Sequence, residues 1–211
     1  MSKRLALFSF LTTIIFLASC GGGAVSTFVP SNHIDPKTPC KEIDDKAKRQ
    51  AIKDRVDEIL KSQVIKAIQK QIDDAGKGTK VEVQVYLVTQ AEFKKEVADD
   101  NRADLNPDTL WEQFNAFTYS PKDKKDIIKI KIFCKRSTLE NLDTNKTRHG
   151  FDRLIVHELV HAKLLAMQAA GEKLPFDDQA HADDPPPADR PEDHNGKFSG
   201  EVEKLMKLLS K

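Results

Sequence analysis

Apolar side chains recur at steps of three and four between residues 41 and 75. Ile52, Val56, Ile59, Leu60, Val64, Ile65, Ile68 and Ile72 carry the pattern, and charged residues fill the other faces. The spacing predicts one long amphipathic helix covering a core, closed by Gly76 and Gly78. "KVEVQVYLVT" (80–89) then alternates, with Val81, Val83, Val85 and Leu87 on one face, and predicts a half-buried strand. Two short helices are expected near 90–99 and 107–118. Asn106-Pro107 suits the start of the second, which holds the only Trp as a core residue. "DIIKIKIFC" (126–134) alternates again. It predicts a second strand with Lys129 and Lys131 facing water, as suits an edge. Helical stretches follow over about 151–170, closed by Gly171, and over about 196–209. The sum is an α+β fold: a long N-terminal amphipathic helix, a small β-sheet, a helix carrying "HELVH" and a C-terminal helix.

The N-terminal residues lack any such periodicity. "MSKR" is basic, "LALFSFLTTIIFLA" is apolar but short for a membrane span, and "LASC" closes the run. Leu17-Ala18-Ser19-Cys20 resembles a bacterial lipobox, which implies cleavage before Cys20 and lipid on the new N-terminal cysteine. Residues 1–19 are then a signal peptide, and 20–40, with Gly, Ser and Pro, a lipid-anchored flexible tether. Residues 41–211 form the domain. Gly21 lacks the aspartate that would retain a lipoprotein at an inner membrane. This points to an envelope location at the outer membrane or its periplasmic face, if there is one. The bilayer is a partner through the acyl anchor.

The whole chain is 39% hydrophobic and 32% charged, a globular composition. Loss of residues 1–19 leaves 32 basic against 33 acidic residues, a formal charge of −1. With no basic excess, nucleic acid is not an expected partner. Besides Cys20 the cysteines are Cys40 and Cys134. In an oxidising compartment they suit a disulfide; otherwise they are two buried thiols.

The chemistry lies in "LIVHELVHAKL" (154–164). Four helical residues advance about 6 Å and return to nearly the same face, so His157 and His161 can reach one metal ion. Glu158, one residue on, is set to hydrogen-bond a water in the open coordination position and take its proton. The run around them is apolar, as a buried helix requires, with Lys163 the departure. Zinc needs a third protein ligand. A metzincin continuation is excluded, because Leu164 and Met167 stand where Gly and His are required. His194, His181, Glu201 and Glu203 are the candidates downstream. His194 is favoured because it precedes a helical run, with Phe198 four positions later to fix it by packing. A glutamate ligand of the thermolysin-like kind would come from Glu201 or Glu203. The segment 172–194 between the helices holds eight acidic and two basic residues with several prolines, and reads as solvated. His33 and His149 stand alone and read as surface residues.

"HELVHA", followed after a loop by His194, a glycine, Phe198 and an apolar helix with Met206, resembles the SprT-like zinc metallopeptidases. The likeness covers 151–211 closely and the preceding strands loosely. It implies a small zincin-like domain, zinc ligands His157, His161 and His194, and Glu158 as catalytic acid/base. The chain departs from the family in Asn195, which separates His194 from the glycine, in the long acidic loop, and in the absence of following zinc-ribbon cysteines.

The expected function is zinc-dependent hydrolysis of peptide bonds at a bacterial cell envelope, with a peptide or protein as substrate. An amide of cell-wall peptide is a variant of the same chemistry. For the oxyanion, Tyr86, Tyr119 and Arg148 are candidates on residue type alone. The competing reading is a lipid-anchored binding or interaction protein whose metal site is structural or vestigial; a closed four-ligand site, with His181 joining, would favour it.

Overall fold

Parallel strands require long crossovers, and this chain supplies two helical ones. The structure is a computed structural model. It describes residues 27–38, 40–43, 45–75, 80–140, 142, 145–172, 174–175 and 196–209. Cys20, His181 and His194 lie outside the described residues, as do the side chains of Arg148 and His149.

Strand β1 (Thr27–Asn32) comes first, followed by a 3-10 turn at Lys41–Ile43, α1 (Lys46–Leu60) and α2 (Gln63–Ala75). Strand β2 (Lys80–Val88) leads to α3 (Gln90–Asp99), α4 (Pro107–Gln113) and the short β3 (Ala116–Tyr119). Strand β4 (Ile127–Phe133), α5 (Arg136–Glu140), α6 (Asn145–Ala169) and α7 (Gly196–Leu209) complete the order. The sheet runs β1-β2-β4-β3. The first three strands are parallel and β3 is antiparallel to β4. This is a mixed α+β fold. No described helix is long and apolar enough to cross a membrane.

Alternation sets the two faces of the sheet. Val83, Val85 and Leu87 pair with Ile128, Ile130 and Ile132, and all are buried on the face that meets α6. Helices α1 and α2 join this core through Ile52, Val56, Ile59, Val64, Ile68 and Ile72. On the opposite face, Trp111 of α4 stacks on Phe133 and Phe93 of α3 packs against it at a tilt. Local sequence closes the helices. Thr89 and Glu92 form a capping box on α3, and Asn106 with Pro107 starts α4. Gly171 (φ 71°) ends α6: its N–H reaches Gln168 O at 2.9 Å, and the Glu172 N–H reaches Met167 O at 3.0 Å, a Schellman closure.

Four expectations are corrected. The long helix over 41–75 is two helices, because Ser62 donates to Ile59 O at 2.7 Å and accepts from Val64 N at 3.1 Å, ending one and capping the next. Residues 27–32, expected within a flexible tether over 20–40, instead form β1, paired in parallel with β2. Its outer edge is covered, with Phe28 N–H donating to Gln69 Oε1 at 2.7 Å and Asn32 donating to Lys53 O at 2.9 Å. The helix near 107–118 stops at Gln113, and residues 116–119 are the edge strand β3 instead. Lys129 and Lys131 are not on an edge, because β4 lies between β2 and β3. Both are folded under α3.

Cys40 and Cys134 are joined as a disulfide, with Cα atoms 6.0 Å apart. It ties the turn before α1 to the residue that follows β4.

Candidate active site

Helix α6 packs its apolar face into the core and turns His157 and His161 toward α7 and β3. The two Nε2 atoms are 3.2 Å apart, and the ring centroids 5.0 Å. Two nitrogens bound to a tetrahedral zinc at about 2.0–2.1 Å each lie roughly 3.3–3.4 Å from one another. The separation of the histidines is close to that value, and it is also that of a hydrogen bond between the two rings.

Phe198 of α7 holds them there. Its ring, 1% exposed, meets His157 at 4.9 Å and His161 at 4.7 Å between centroids. Phe198 packs into the core as expected from its position four residues after His194, and its contact with the two histidine rings goes beyond that expectation. Lys163, the polar exception in the apolar run, faces the other way. Its Nζ donates to Gln71 Oε1 at 2.8 Å and pairs with Glu201 at 3.1 Å, joining α2, α6 and α7. Burial pulls the Lys163 ammonium below the usual lysine range, against the opposing pull of Glu201.

Of the ligand candidates on α7, Glu201 is engaged with Lys163, and Glu203 pairs with Arg153 near the cleft mouth. Among the described residues, no group of three His, Cys, Asp or Glu side chains comes together to hold a metal ion. His157 and His161 are the two donors the described structure brings together.

Glu158 is 5% exposed, and its Oε2 accepts from Thr118 Oγ1 at 2.5 Å. Thr118 was not singled out from sequence. A threonine in "NAFTY" gives no signal until β3 is known to lie against α6. The hydrogen-bond pattern adds a second property. Phe133 N donates to Asn115 O at 2.9 Å, and alternation then turns the N–H and C=O of Ala116 and Thr118 to the outer edge of the sheet, which no described strand pairs with. A cleft of about 320 Å³ opens at this edge, lined by Asn115, Ala116, Gly150, Leu154, His157 and Glu158.

The far face of the sheet excludes several expected residues. Lys131 is fully buried, with its Nζ 2.7 Å from Glu96 Oε1 and 3.5 Å from the centre of the Tyr86 ring. Lys129 pairs with Asp100 at 2.6 Å. Both lysines point away from α6, so they do not flank the cleft. Tyr119 donates to Asp100 Oδ2 at 2.9 Å, and Tyr86 to Gln84 Oε1 at 2.7 Å, on that same face. Neither can reach the histidines to stabilise an oxyanion. Burial pushes both phenols above the usual tyrosine range. His33 is exposed, as expected, but not alone: it stacks on Tyr86 with centroids 5.0 Å apart.

Compared with known proteins, the chain matches no family model, no curated protein and no solved structure.

Proposed function

We propose that this chain is a zinc-dependent peptidase of a zincin-like, SprT-like kind, working at a bacterial envelope to which Cys20 anchors it. The observation that carries the reading is the 3.2 Å between the Nε2 atoms of His157 and His161, with Glu158 on the same turn of a buried helix. His157 and His161 would hold the ion. His194, two residues ahead of α7, would be the third ligand, supported by the seat of Phe198 on both rings. When bound, zinc supplies a water acidified for attack and polarises the scissile carbonyl.

The chain's own residues supply the rest. Glu158 takes the proton of the attacking water and passes it to the leaving amine. Thr118 pins one carboxylate oxygen. The open edge of β3 offers the backbone groups of Ala116 and Thr118 to an extended peptide, which would lie along the cleft as an added strand. The Cys40–Cys134 bridge suits a compartment outside the reducing cytosol.

The test is metal content of the purified chain by elemental analysis, with His157→Ala, His181→Ala and His194→Ala beside it. One zinc per chain, lost with His157 or His194 and kept with His181, supports the open three-histidine site. A Glu158→Gln chain should then keep zinc and lose hydrolysis. No zinc under metal-replete conditions would leave His157 and His161 as a hydrogen-bonded pair, and the anchored binding-protein reading would take over.

A further inference from the structure

Two cavities lie along the seam of β3 and α6. The first is the cleft beside Ala116 and His157. The second, about 530 Å³, lies where Ser120 and Pro121, just past β3, meet Leu165, Gln168 and Ala169 of α6. His157, His161, Leu165 and Gln168 follow at steps of four, four and three. They therefore share one face of the helix. Glu158 lines the first cavity, and Thr118, bonded to it, lies on β3 between Ala116 of the first and Ser120 of the second. Leu165 is seven residues beyond Glu158, about 10 Å along the axis, which an extended peptide covers in about three residues.

The second cavity differs from the first in charge. Arg102, Lys122 and Lys125 line it, against Asp104 alone. Arg102 is part of the wall: it is bidentate to Asp104 at 2.8 and 2.7 Å, and donates to Ser120 O at 2.6 Å. That pair is neutral as a unit, which leaves the exposed ammonium groups of Lys122 and Lys125 to set the sign. Asp123 and Asp126, on the same loop, are not in the lining. The floor is apolar, from Leu165, Ala169 and Pro121, and suits the methylene stem of a long side chain.

We propose that this cavity is a specificity subsite for an acidic side chain of the peptide substrate, about three residues to one side of the scissile bond. The inference rests on the peptidase reading and adds the substrate preference of that groove.

The probe is a set of labelled neutral peptides in which one Glu, or one Lys, is walked along the sequence. Binding is read by fluorescence anisotropy on the full chain carrying Glu158→Gln, and cleavage on the metal-replete wild type. At one position the Glu peptide should bind about three- to tenfold more tightly than its Lys counterpart. Two exposed charge contacts are worth that much, and salt near 1 M should abolish the difference. Lys122→Glu with Lys125→Glu, both on the surface, should reverse it. Equal binding of Glu and Lys peptides, or a preference unchanged in the double variant, would overturn the subsite. Cleavage indifferent to charge removes the subsite and leaves the peptidase standing. Charge-selective binding without cleavage by the wild type does the opposite. Failure to bind any peptide removes both.

Discussion

The Thr118 hydroxyl donates to Glu158 Oε2 across 2.5 Å and so joins the edge strand to the helix that carries both histidines. One residue thus has two contacts with function. Its backbone N–H and C=O face the open edge, and its side chain fixes the carboxylate proposed as general base. A peptide added to β3 would be set in register against Glu158 by Thr118 itself.

Thr118→Val keeps shape and removes the donor. A hydrogen bond to a charged group is worth about 1.5–3 kcal/mol, so kcat should fall about ten- to a hundredfold with KM little changed. Thr118→Ser should restore most of the rate. Steady-state kinetics on any cleaved peptide decides it, and a valine variant with the wild-type kcat would show that the contact does nothing for catalysis.

The Lys163–Glu201 pair holds α7 against α6 from inside the core, with exposures of 3% and 14% for the two side chains. Glu201→Leu alone leaves a cation in an apolar setting and should cost about 3 kcal/mol. Lys163→Met together with Glu201→Leu should come within about 1 kcal/mol of the wild type. Urea unfolding of the four chains of this cycle gives the coupling. Additive single effects would mean that the two side chains do not act as a pair.

Lys131 should make stability depend on alkaline pH. Burial pushes its ammonium down from 10.5 to about 8, against the opposing pull of Glu96; Lys129 lowers it further and Asp100 raises it. The folded chain therefore releases this proton before the unfolded chain does. Between about pH 8 and 10.5 the unfolded state binds more protons, so the site's contribution to stability rises with pH; below 8 both states are protonated and it is flat. Lys131→Met should gain on the wild type at pH 7, and that gain should shrink by about 1–3 kcal/mol at pH 10. Tyr86 and Tyr119 are present in both chains, so the difference isolates Lys131. A difference independent of pH would contradict its burial as an ammonium.

The disulfide spans 94 positions of sequence. In the chain-entropy account a loop of that length is worth about 4–5 kcal/mol, and measured losses on removing native bridges run about 2–5 kcal/mol. Reduction, or Cys134→Ser, should lower the unfolding midpoint accordingly. Unchanged unfolding of a chain shown by mass to be reduced would mean that the bridge adds nothing.

The regular pieces of the fold were legible because each is set by its own residues. Alternation in "KVEVQVYLVT" and "DIIKIKIFC" gave β2 and β4 to within a residue or two. Capping chemistry gave the start of α4, at Asn106-Pro107, and the end of α6, at Gly171. What escaped is set by partners distant in sequence. β1 has no alternation and contains Pro30; it is a strand because β2 offers it a parallel edge. β3 is four residues long and follows a Trp-Phe spacing that suits a helix, and pairing with β4 decides otherwise. The apolar period runs through Ser62 unbroken, so the break between α1 and α2 was invisible. Lys131 obeyed the alternation and still became buried, because Glu96 on α3 meets its charge. At the site, "HELVH" marked the helix and placed its two histidines side by side, while the contact of Phe198 with both rings was not read from the sequence. Thr118 could not be found before the neighbour of α6 was known.

β1 begins at Thr27, seven positions after Cys20. Seven residues span at most about 25 Å when fully extended. A chain acylated at Cys20 would therefore be held on a short leash, its first strand never farther than that from the lipid headgroups. Its cleft would sweep a thin layer over the bilayer and not the volume beyond. Proteins that lie against the membrane would be met often and freely diffusing ones seldom, so working height above the bilayer would filter substrates before any pocket does.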